Sequence, residues 1–486
     1  MVILFAPPHT ASVTSFIHVG RSLVQLGHQV HVVVPVYMFN QARYNSRGVN
    51  TTIYGQALGD VDEECERKVI SHFWSNKTSS ASELKMKFSL SDKITKTILK
   101  DKNFLNKLKT LQPDMFVLSN DVAFRDLVSI PHSLGVPFSY LGPRQDYIGP
   151  RVPTSCSSTV THFNDDVLLQ GMTFIQRLKN CGFHWLLLAA NVLIPSDVTS
   201  QPEISIVETD HVLDYPRPHL ANTRLVGSTA GNDEMPISEP FHSFMEESHH
   251  GVVVVSLGSL VVDLPLYVTS KLTSVFMKLK QNVVWRVKMT SPLPGKIMTS
   301  PWLPQNDLVS HENTVLLVSG CGSYSQHEAV YHAVATLCLP VTADQLYNTQ
   351  AALDKGLALK GDIRLDSAEV LLALMEELIH NQTYQENVDR ASRMYRSVYK
   401  HPANEAAFWL DHVLTFGGSH LRSIGQNMTL YQFLGLDIAA VLTSVFLAVC
   451  CVVCMLCRCC WSKNTGRVET VPNIKKKQSN PKPKAD

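Results

Sequence analysis

The chain has 486 residues, of which 45% are hydrophobic and 17% charged, and its formal net charge at pH 7 is +1. This length corresponds to two or three domains with sizeable cores. The near-neutral charge argues against a nucleic-acid-binding protein, which would carry a basic surplus. The low charged fraction and the ordinary apolar content disfavour intrinsic disorder and suggest contact with a membrane.

The first part of the chain alternates strand and helix patterns. Residues 2–6 form a short apolar run typical of a buried strand, residues 14–26 carry apolar side chains at helical spacing, and residues 29–34 form a second apolar run. A strand, a helix and a strand in this order form a βαβ unit, which implies a parallel sheet. The same succession recurs at residues 115–118, in a helix reaching residue 134, and at residues 137–140.

A second α/β half is predicted after a linking region. Residues 185–194 are apolar but too short to span a bilayer, so they are either a core helix or an interfacial one. Residues 202–247 are rich in Pro, polar and acidic residues and are predicted to link the halves. The apolar run at 251–259 then predicts a buried strand that leads into a turn of small residues. The predicted organisation is an α/β domain at 1–215, a linker at 216–250, a second α/β domain at 251–430, a transmembrane span at 431–457 and a cytoplasmic basic tail at 458–486.

The span is predicted from an uncharged apolar stretch near the end of the chain. Residues 438–457 carry no charge, and as a helix rising ~1.5 Å per residue they would cover ~30 Å, the thickness of a bilayer's hydrocarbon core. From Arg458 onward there are 8 Lys and Arg residues against 2 Asp and Glu, a net charge of +6, whereas the preceding residues carry −5. This basic tail disfavours the competing interpretation, a buried helix of a soluble protein. The positive-inside rule places the tail in the cytoplasm.

Targeting features agree with that topology. Lys482 and Lys484 resemble the dilysine retrieval signal of endoplasmic-reticulum membrane proteins, although a solvated basic tail is an equal alternative. The chain begins with a strand pattern, so we expect a signal peptide to be missing from this sequence; a topology set by the C-terminal span alone is the alternative. We predict a single-pass type I protein of the endoplasmic reticulum membrane with most of its chain in the lumen. Acceptor patterns for N-glycosylation lie on the lumenal side, at Asn50, Asn76, Asn381 and Asn427.

Cysteine usage differs between the two sides of the span. Six of the 11 cysteines lie within residues 450–460, where reversible palmitoylation can occur. The other five are scattered and too few to predict a disulfide framework, and at least one would be unpaired in an oxidising lumen. These five are Cys65, Cys156, Cys181, Cys321 and Cys338.

A stretch of the second half resembles a known signature. Trp302, Gln305, Glu328, Asp344 and Gln345 keep the family spacing without a gap. The pattern resembles the UDP-glycosyltransferases and, more narrowly, their membrane-bound animal branch, the UDP-glucuronosyltransferases. This resemblance implies the GT-B fold, in which two Rossmann-like α/β domains face each other. The first domain would bind the acceptor and the second the UDP-sugar, and one C-terminal transmembrane helix would follow.

The resemblance implies three contacts to the uridine of the donor. The aromatic plane of Trp302 would stack on uracil, and Gln305 would hydrogen-bond the edge of the uridine. Glu328 would bind the ribose hydroxyls, as acidic residues do in other nucleotide-binding folds. Taken singly, Trp302 would be interpreted as a packed aromatic residue and Glu328 as a solvated helix residue; their joint spacing favours the binding roles.

The phosphates and the transferred sugar would be held by four further residues. Ser259 and Ser325 lie in turns where backbone N–H groups and a helix N-terminus would hold the pyrophosphate. Asp344 and Gln345 would bind the hydroxyls of the transferred sugar, although Asp344 alone could be a helix cap.

The implied chemistry is inverting transfer, and here the sequence departs from the family pattern. In the family a histidine removes the proton of the acceptor hydroxyl and an aspartate orients that histidine. Ser12 occupies the histidine position and cannot be a base near neutral pH, so His9 is the candidate replacement. Asp121 lies at the aspartate position, although it could equally be a loop carboxylate. In the donor turn, Gly320 replaces a histidine and Tyr324 an asparagine.

Two functional hypotheses follow. The first is an enzyme that transfers glucuronic acid or glucose from a UDP-sugar to hydroxyl groups of small lipophilic acceptors. The second, which Ser12, Gly320 and Tyr324 favour, is a catalytically weak or inactive family member that acts as a binding partner of active homologues. Neither needs a metal or a cofactor, since the UDP-sugar is a co-substrate. Membrane lipid and homo- or hetero-oligomers are expected partners, and nucleic acid is not.

Overall fold

The structure is a computed structural model and describes residues 1–7, 10–36, 48–54, 68, 70–75, 89, 92–120, 126–143, 152, 154–156, 172–193, 202–231, 235–258 and 261–465. The chain forms two compact units, residues 1–426 and residues 427–486. The first unit contains both α/β halves and the candidate site.

A parallel sheet forms the centre of the first half. Its strands are β1 (Val2–Phe5), β2 (Val30–Pro35), β3 (Asn50–Tyr54), β4 (Met115–Ser119), β5 (Phe138–Gly142), β6 (Ser205–Val207) and β7 (Thr223–Leu225). The order across the sheet is β3-β2-β1-β4-β5-β6-β7, and all neighbours pair in parallel. The helices of this half include α1 (Thr10–Gln25), α2 (Lys102–Thr110), α3 (Ser129–Leu134) and α4 (Phe174–Leu193).

A second parallel sheet has the same architecture. Its strands are β8 (Val252–Ser256), β9 (Asn282–Arg286), β10 (Ile297–Ser300), β11 (Thr314–Ser319), β12 (Thr336–Cys338) and β13 (Ala358–Lys360), in the order β10-β9-β8-β11-β12-β13. The accompanying helices are α5 (Phe241–Glu246), α6 (Leu266–Lys278), α7 (Gln305–Ser310), α8 (Ser323–Tyr331), α9 (Ala343–Asp354), α10 (Ala368–His380), α11 (Gln382–Val398) and α12 (Pro402–Phe416). The prediction of two α/β halves with parallel sheets is confirmed.

Both sheets are apolar on both faces because both faces are covered, as is usual for parallel sheets. In β1, Val2 and Leu4 contribute to one core and Ile3 and Phe5 to the other. Side chains alternate in the same way along β8, where Val252 and Val254 lie opposite Val253 and Val255. Continuous apolar runs therefore mark the central strands of both sheets.

The last helix of the second half returns to the first half. Ala406, Leu410 and Val413 of α12 are buried in the same core as Phe16 and Ile17 of α1. The first half is therefore completed by residues from near the C-terminus of its unit.

The prediction that residues 202–247 are only a link is wrong for the first part of that stretch. Strands β6 and β7 lie there and extend the first sheet. They have three residues each, too few to show a periodic pattern, and their strand character depends on pairing with β5. The first sheet thus continues past residue 215 to Leu225, while the functional domain limits stay a prediction.

The cysteine prediction is also corrected. Cys156 is bonded to Cys181 and Cys321 to Cys338, with Cα–Cα distances of 4.8 and 5.4 Å. The sequence separations of 25 and 17 residues give no hint of these pairs, because the fold alone brings the partners together. Cys65 lies outside the described residues.

Residues 436–465, the last that the structure describes, form a helix. Short helices α13 (Ile424–Asn427) and α14 (Leu430–Phe433) precede α15 (Leu436–Thr465). Within α15, residues 436–459 have a mean hydropathy of 2.7 and none of them is buried. The predicted C-terminal apolar helix is therefore present, and it is long and apolar enough to cross a membrane.

Candidate functional site

The first turns of the helices that follow β1 and β11 are in contact. Ser12 lies in α1, directly after β1, and Tyr324 lies in α8, directly after β11. The Tyr324 Oη is 3.4 Å from the Ser12 Oγ. Both strands lie where the strand order of their sheet reverses, the point at which parallel α/β sheets bind ligands beyond the carboxyl ends of their strands. The candidate site therefore lies between the two halves.

Three of the predicted donor residues form a hydrogen-bonded cluster. Gln305, the first residue of α7, donates from Nε2 to the Ser325 Oγ over 2.9 Å and to the Glu328 Oε2 over 2.6 Å. Ser325 and Glu328 are both in α8, three residues apart, so they lie on one face of that helix. Trp302 precedes this cluster and is 50% exposed. A half-exposed aromatic ring near hydrogen-bonding groups can accept a planar base.

The carboxyl group of Glu328 has a shifted pKa. Burial raises the pKa to about 7, whereas the hydrogen bond from Gln305 lowers it. Both protonation states are consequently populated near neutral pH. A ligand that donates hydroxyl hydrogens to this carboxyl group would favour the charged form.

Asp344 and Gln345 lie in the first turn of α9. The Gln345 Oε1 accepts from the backbone N–H of Val341 over 2.6 Å and of Thr342 over 3.2 Å. The Thr342 Oγ1 donates to the Asp344 Oδ1 over 2.8 Å. Gln345 thus forms a capping box with Thr342, which is the N-cap of α9, whereas Asp344 lies inside the first turn and is not itself the cap.

Gly320 directly follows β11 and is tightly surrounded by atoms of Leu257 and Gln345. A Cβ at this position would be 2.8 Å from the Leu257 carbonyl oxygen and 2.9 Å from the Gln345 Oε1. The space next to residue 320 is therefore occupied by a backbone oxygen and by the helix-starting glutamine.

We expect Gly320→His to disturb this turn and not to recreate the family pattern. The substitution is expected to lower the free energy of unfolding by about 1–3 kcal/mol, as overpacking usually does. The matched control is Gly322→Ala, because a Cβ there meets nothing within 4 Å and the backbone φ of Gly322 is −61°. Thermal unfolding of the two variants tests the prediction, and equal midpoints for Gly320→His and Gly322→Ala would contradict it.

Tyr324, in the first turn of α8, connects the second half of the protein to the first half. Besides its contact with Ser12, its Oη donates to the Glu208 Oε2 over 2.9 Å. Burial, followed by the neighbouring Glu208 carboxylate, raises the pKa of Tyr324 well above its ordinary value. The phenol thus stays protonated and acts as a donor between the two halves.

Glu208 accepts hydrogen bonds from several sides. It follows β6 and is 1% exposed. Its Oε1 accepts from the Ser15 hydroxyl and, over 3.1 Å, from the Thr229 backbone N–H. With Tyr324 on its other oxygen, the Glu208 carboxylate is held in place by donors from α1, from the segment after β7 and from α8. Both oxygens of this buried side chain therefore have hydrogen-bond partners.

A second buried contact between the halves lies beside the first. The His327 Nε2 is 2.8 Å from the Asp210 Oδ2, with 4% and 0% of these side chains exposed. The His327 Nδ1 is 2.7 Å from the Ser323 carbonyl oxygen. Burial lowers the pKa of His327, but the hydrogen bond to Asp210 and its charge outweigh that effect and raise the pKa above 6.5.

The structure describes no position for three of the predicted site residues. His9, Asp121 and Ser259 lie outside the described residues. In the part of the chain that the structure describes, no group of three or more His, Cys, Asp or Glu side chains could hold a metal ion.

Comparison with known proteins gives the family. The model of the family described as "UDP-glucoronosyl and UDP-glucosyl transferase" matches residues 1–471. The chain belongs to this family. Human UDP-glucuronosyltransferase 1A9 is 27% identical to this UDP-glycosyltransferase over 95% of the chain and 92% of its own length. Rabbit (Oryctolagus cuniculus) UDP-glucuronosyltransferase 2C1 is 27% identical, with 78% and 81% covered.

Solved structures support the fold. The glycotransferase of kitacinnamycin matches the UDP-glycosyltransferase chain with a TM-score of 0.59 at 16% identity, over 85% of this chain and 98% of its own. The spinosyn forosaminyltransferase SpnP matches with a TM-score of 0.57 at 14% identity, over 85% and 99%. The predicted GT-B architecture is confirmed, and family membership supports sugar transfer from a UDP-sugar to an acceptor.

Sequence reasoning missed the residues by which this UDP-glycosyltransferase joins its halves. Glu208 and Asp210 lie in the stretch 202–247 predicted to link the halves, and no sequence pattern distinguishes His327. Two acidic residues directly after a buried strand would have indicated Glu208 and Asp210, but β6 is too short to be recognised as a strand.

Proposed function

We propose that the protein transfers glucuronic acid or glucose from a UDP-sugar, with inversion, to hydroxyl groups of small lipophilic acceptors. The single observation that supports this most is the hydrogen-bonded cluster of Gln305, Ser325 and Glu328, with the half-exposed Trp302 three residues before Gln305 in the chain. It combines a stacking surface for uracil with a carboxyl group for the ribose hydroxyls. The α8 N-terminus, which follows β11, suits the pyrophosphate.

In the proposed reaction, the acceptor hydroxyl attacks the anomeric carbon as UDP leaves. Its proton passes to a general base, for which His9 with Asp121 is the candidate pair. Ser259 completes the pyrophosphate contacts, and Asp344 and Gln345 bind the transferred sugar. These roles come from the family resemblance, and the geometry of Gln345 requires its helix-starting hydrogen bonds to be partly exchanged for sugar contacts.

The proposed setting is the endoplasmic reticulum membrane. The chain would be a type I glycoprotein with residues 1–430 in the lumen, α15 in the bilayer and the basic tail in the cytosol. The apolar character of residues 436–459 and the membrane-bound animal branch that the sequence resembles support this setting. Hydrophobic acceptors would then reach the first domain from the bilayer.

A second candidate function is a catalytically weak or inactive partner of active homologues. The contact of Tyr324 with Ser12 and Glu208 favours it, because a phenol fills the place beside the position of the family's general base. In this state the donor site remains, whereas the acceptor hydroxyl has no base next to it.

Two measurements on the purified full chain separate these candidates. Turnover is assayed with UDP-glucuronic acid and UDP-glucose on phenols and steroids, and UDP binding by calorimetry. UDP binding with turnover supports the enzyme, UDP binding without turnover supports the partner, and no UDP binding contradicts the proposed donor site. If turnover is seen, an unchanged rate in His9→Ala would exclude His9 as the base.

Trp302→Ala is expected to weaken UDP binding by about 1–3 kcal/mol, the usual contribution of a base stacked on an aromatic ring. Phe416→Ala is the control, since Phe416 is also largely exposed but lies on α12. Calorimetry of both variants gives the comparison. Equal affinity in Trp302→Ala and Phe416→Ala would remove Trp302 from the site.

Binding of uridine is expected to strengthen by about tenfold between pH 6 and pH 8, because Glu328, with a pKa of about 7, becomes the charged acceptor of the ribose hydroxyls. Uridine is used because UDP titrates in this range through its own phosphate. Glu328→Gln should give a flat profile. An equal pH dependence in Glu328→Gln and in the unaltered chain would show that another group is responsible.

A further inference from the structure

A polar network joins α9 of the second half to the loop between β6 and β7 of the first half. The Tyr347 Oη donates to the Asp214 Oδ1 over 2.5 Å. The Arg217 Nη2 donates to the same Asp214 oxygen over 3.1 Å and also to the Tyr347 Oη. Tyr347 and Arg217 are buried, and the side chain of Asp214 is 14% exposed. Hydrogen bonds to a charged group are strong when the surroundings exclude water in this way.

The same loop also contacts the C-terminal end of α9. The Tyr215 Oη donates to the Asp354 Oδ2 over 3.0 Å. The Lys355 Nζ donates to two carbonyl oxygens of the loop, over 2.6 and 2.7 Å. Tyr347 lies in the second turn of α9 and Asp354 is its last residue. The loop therefore holds the helix at two separate points, which fixes the direction of its axis as well as its position.

Apolar packing accompanies these hydrogen bonds. The rings of Tyr215 and Tyr347 meet edge to face, with their centroids 5.5 Å apart, a geometry that aromatic pairs prefer. Both rings pack with Met172 of the first half and Ala351 of α9 in a small buried cluster. The contact between the loop and α9 thus combines a buried ion pair, hydrogen bonds and apolar side chains.

The proposed sugar-binding residues lie on the helix that this network holds. Asp344 and Gln345 are in the first turn of α9. Tyr347 follows Asp344 by three residues, so the two lie one turn apart on neighbouring positions of the helix surface. Any shift of α9 would therefore move both sugar-binding side chains relative to the first half. Such shifts matter, because a displacement of about 1 Å can lower a reaction rate by about 10²-fold.

We infer that Asp214, Arg217 and Tyr347 position α9 for binding of the transferred sugar. The inference rests on the proposed function, in which Asp344 and Gln345 bind that sugar. The three residues act through the helix and not by contact with the donor, so they are positioning residues. UDP alone lacks the sugar and needs no contact with the first turn of α9. The network should therefore affect binding of a UDP-sugar and not binding of UDP.

The test compares Tyr347→Phe with Tyr395→Phe in the purified full chain. Tyr347→Phe removes the hydroxyl that donates to Asp214 and keeps the ring. Tyr395 is the matched control, because it is also buried and its hydroxyl also joins the two halves, accepting from the Ser228 backbone N–H over 2.8 Å, but it lies on α11. Calorimetry with UDP, UDP-glucuronic acid and UDP-glucose gives the affinities, and thermal unfolding shows that both variants are folded.

Tyr347→Phe is expected to weaken binding of the better-bound UDP-sugar by about tenfold, the order of one hydrogen bond to a charged group, and to leave UDP binding unchanged. Tyr395→Phe should change neither affinity. An unchanged affinity of Tyr347→Phe for the UDP-sugar would overturn the inference. Equal weakening of UDP and UDP-sugar, or the same selective loss in Tyr395→Phe, would also overturn it, because it would show a general structural role.

A second measurement does not depend on the sugar. Without ligand, amide hydrogen exchange within residues 343–354 is expected to be about tenfold faster in Tyr347→Phe than in Tyr395→Phe, because α9 loses one of its anchors. Equal exchange in the two variants would overturn the inference and leave the proposed function intact. If the unaltered chain binds UDP but neither UDP-sugar, the proposed sugar transfer itself is contradicted, and the inference with it.

Discussion

Replacing Ser12 by histidine and Tyr324 by asparagine together is expected to raise turnover by about 10²–10⁴-fold, the usual contribution of a positioned general base. Histidine at position 12 places an imidazole in the first turn of α1. Asparagine at position 324 removes the phenol whose Oη is 3.4 Å from the Ser12 Oγ. Product formation from UDP-glucuronic acid and UDP-glucose, each with a panel of phenols, is the measurement.

The single variant Ser12→His and one matched double variant show whether the lack of space or the lack of a base limits the reaction. Ser12→His alone should gain little, because the Tyr324 ring occupies the adjacent space. Ser12→His/Tyr324→Phe keeps that ring and should remain as slow as the unaltered chain. If Ser12→His/Tyr324→Asn binds UDP normally and still gains nothing, the interpretation of Tyr324 as the group that blocks catalysis is wrong.

Replacing His327 by leucine is expected to lower the free energy of unfolding by about 3–5 kcal/mol, because it leaves the charge of Asp210 buried without its partner. Asp210 is 0% exposed, and its Oδ1 also accepts from the backbone N–H groups of Val212 and Leu213. Asp210→Asn is the comparison, since an amide can still donate to a neutral imidazole and should cost much less. Denaturant unfolding of the full chain in detergent gives both values. Similar costs for His327→Leu and Asp210→Asn would contradict an ion pair.

The same pair predicts a direction for the pH dependence of stability. The pKa of His327 is raised in the folded chain, so its contribution is complete below pH 6.5 and is lost as the pH rises through the folded pKa. The raised pKa of Glu328 gives a slope of the same sign. The difference between the unaltered chain and His327→Leu therefore isolates the histidine. A difference that grows with rising pH would show the opposite sign and refute the assignment.

The central strands and the family signature were predictable from the sequence, whereas the contacts between the halves were not. Strands β1 and β8 are buried on both faces, so their apolar runs are visible without any knowledge of the partner strands. The spacing of Trp302, Gln305 and Glu328 is likewise a local property, and the structure brings the last two within hydrogen-bonding distance.

Glu208, by contrast, meets Tyr324 across 116 residues of sequence. No local sequence pattern identifies a single glutamate after a three-residue strand as a hydrogen-bond acceptor for the other half. The disulfide bonds were missed for a related reason, because scattered cysteines become a pair only when the fold brings their Cβ atoms together. Local sequence patterns indicate which residues are buried, whereas tertiary packing decides which residues contact each other.

Because α12 fills the core of the first half, the two halves are not consecutive blocks of sequence that could be exchanged freely between relatives. A hybrid that takes its first 250 residues from another family member places foreign side chains against Ala406, Leu410 and Val413. Such hybrids should fold best when residues 402–416 are transferred together with the N-terminal segment. For the same reason, a truncation before residue 402 would damage the half that is encoded at the other end of the chain.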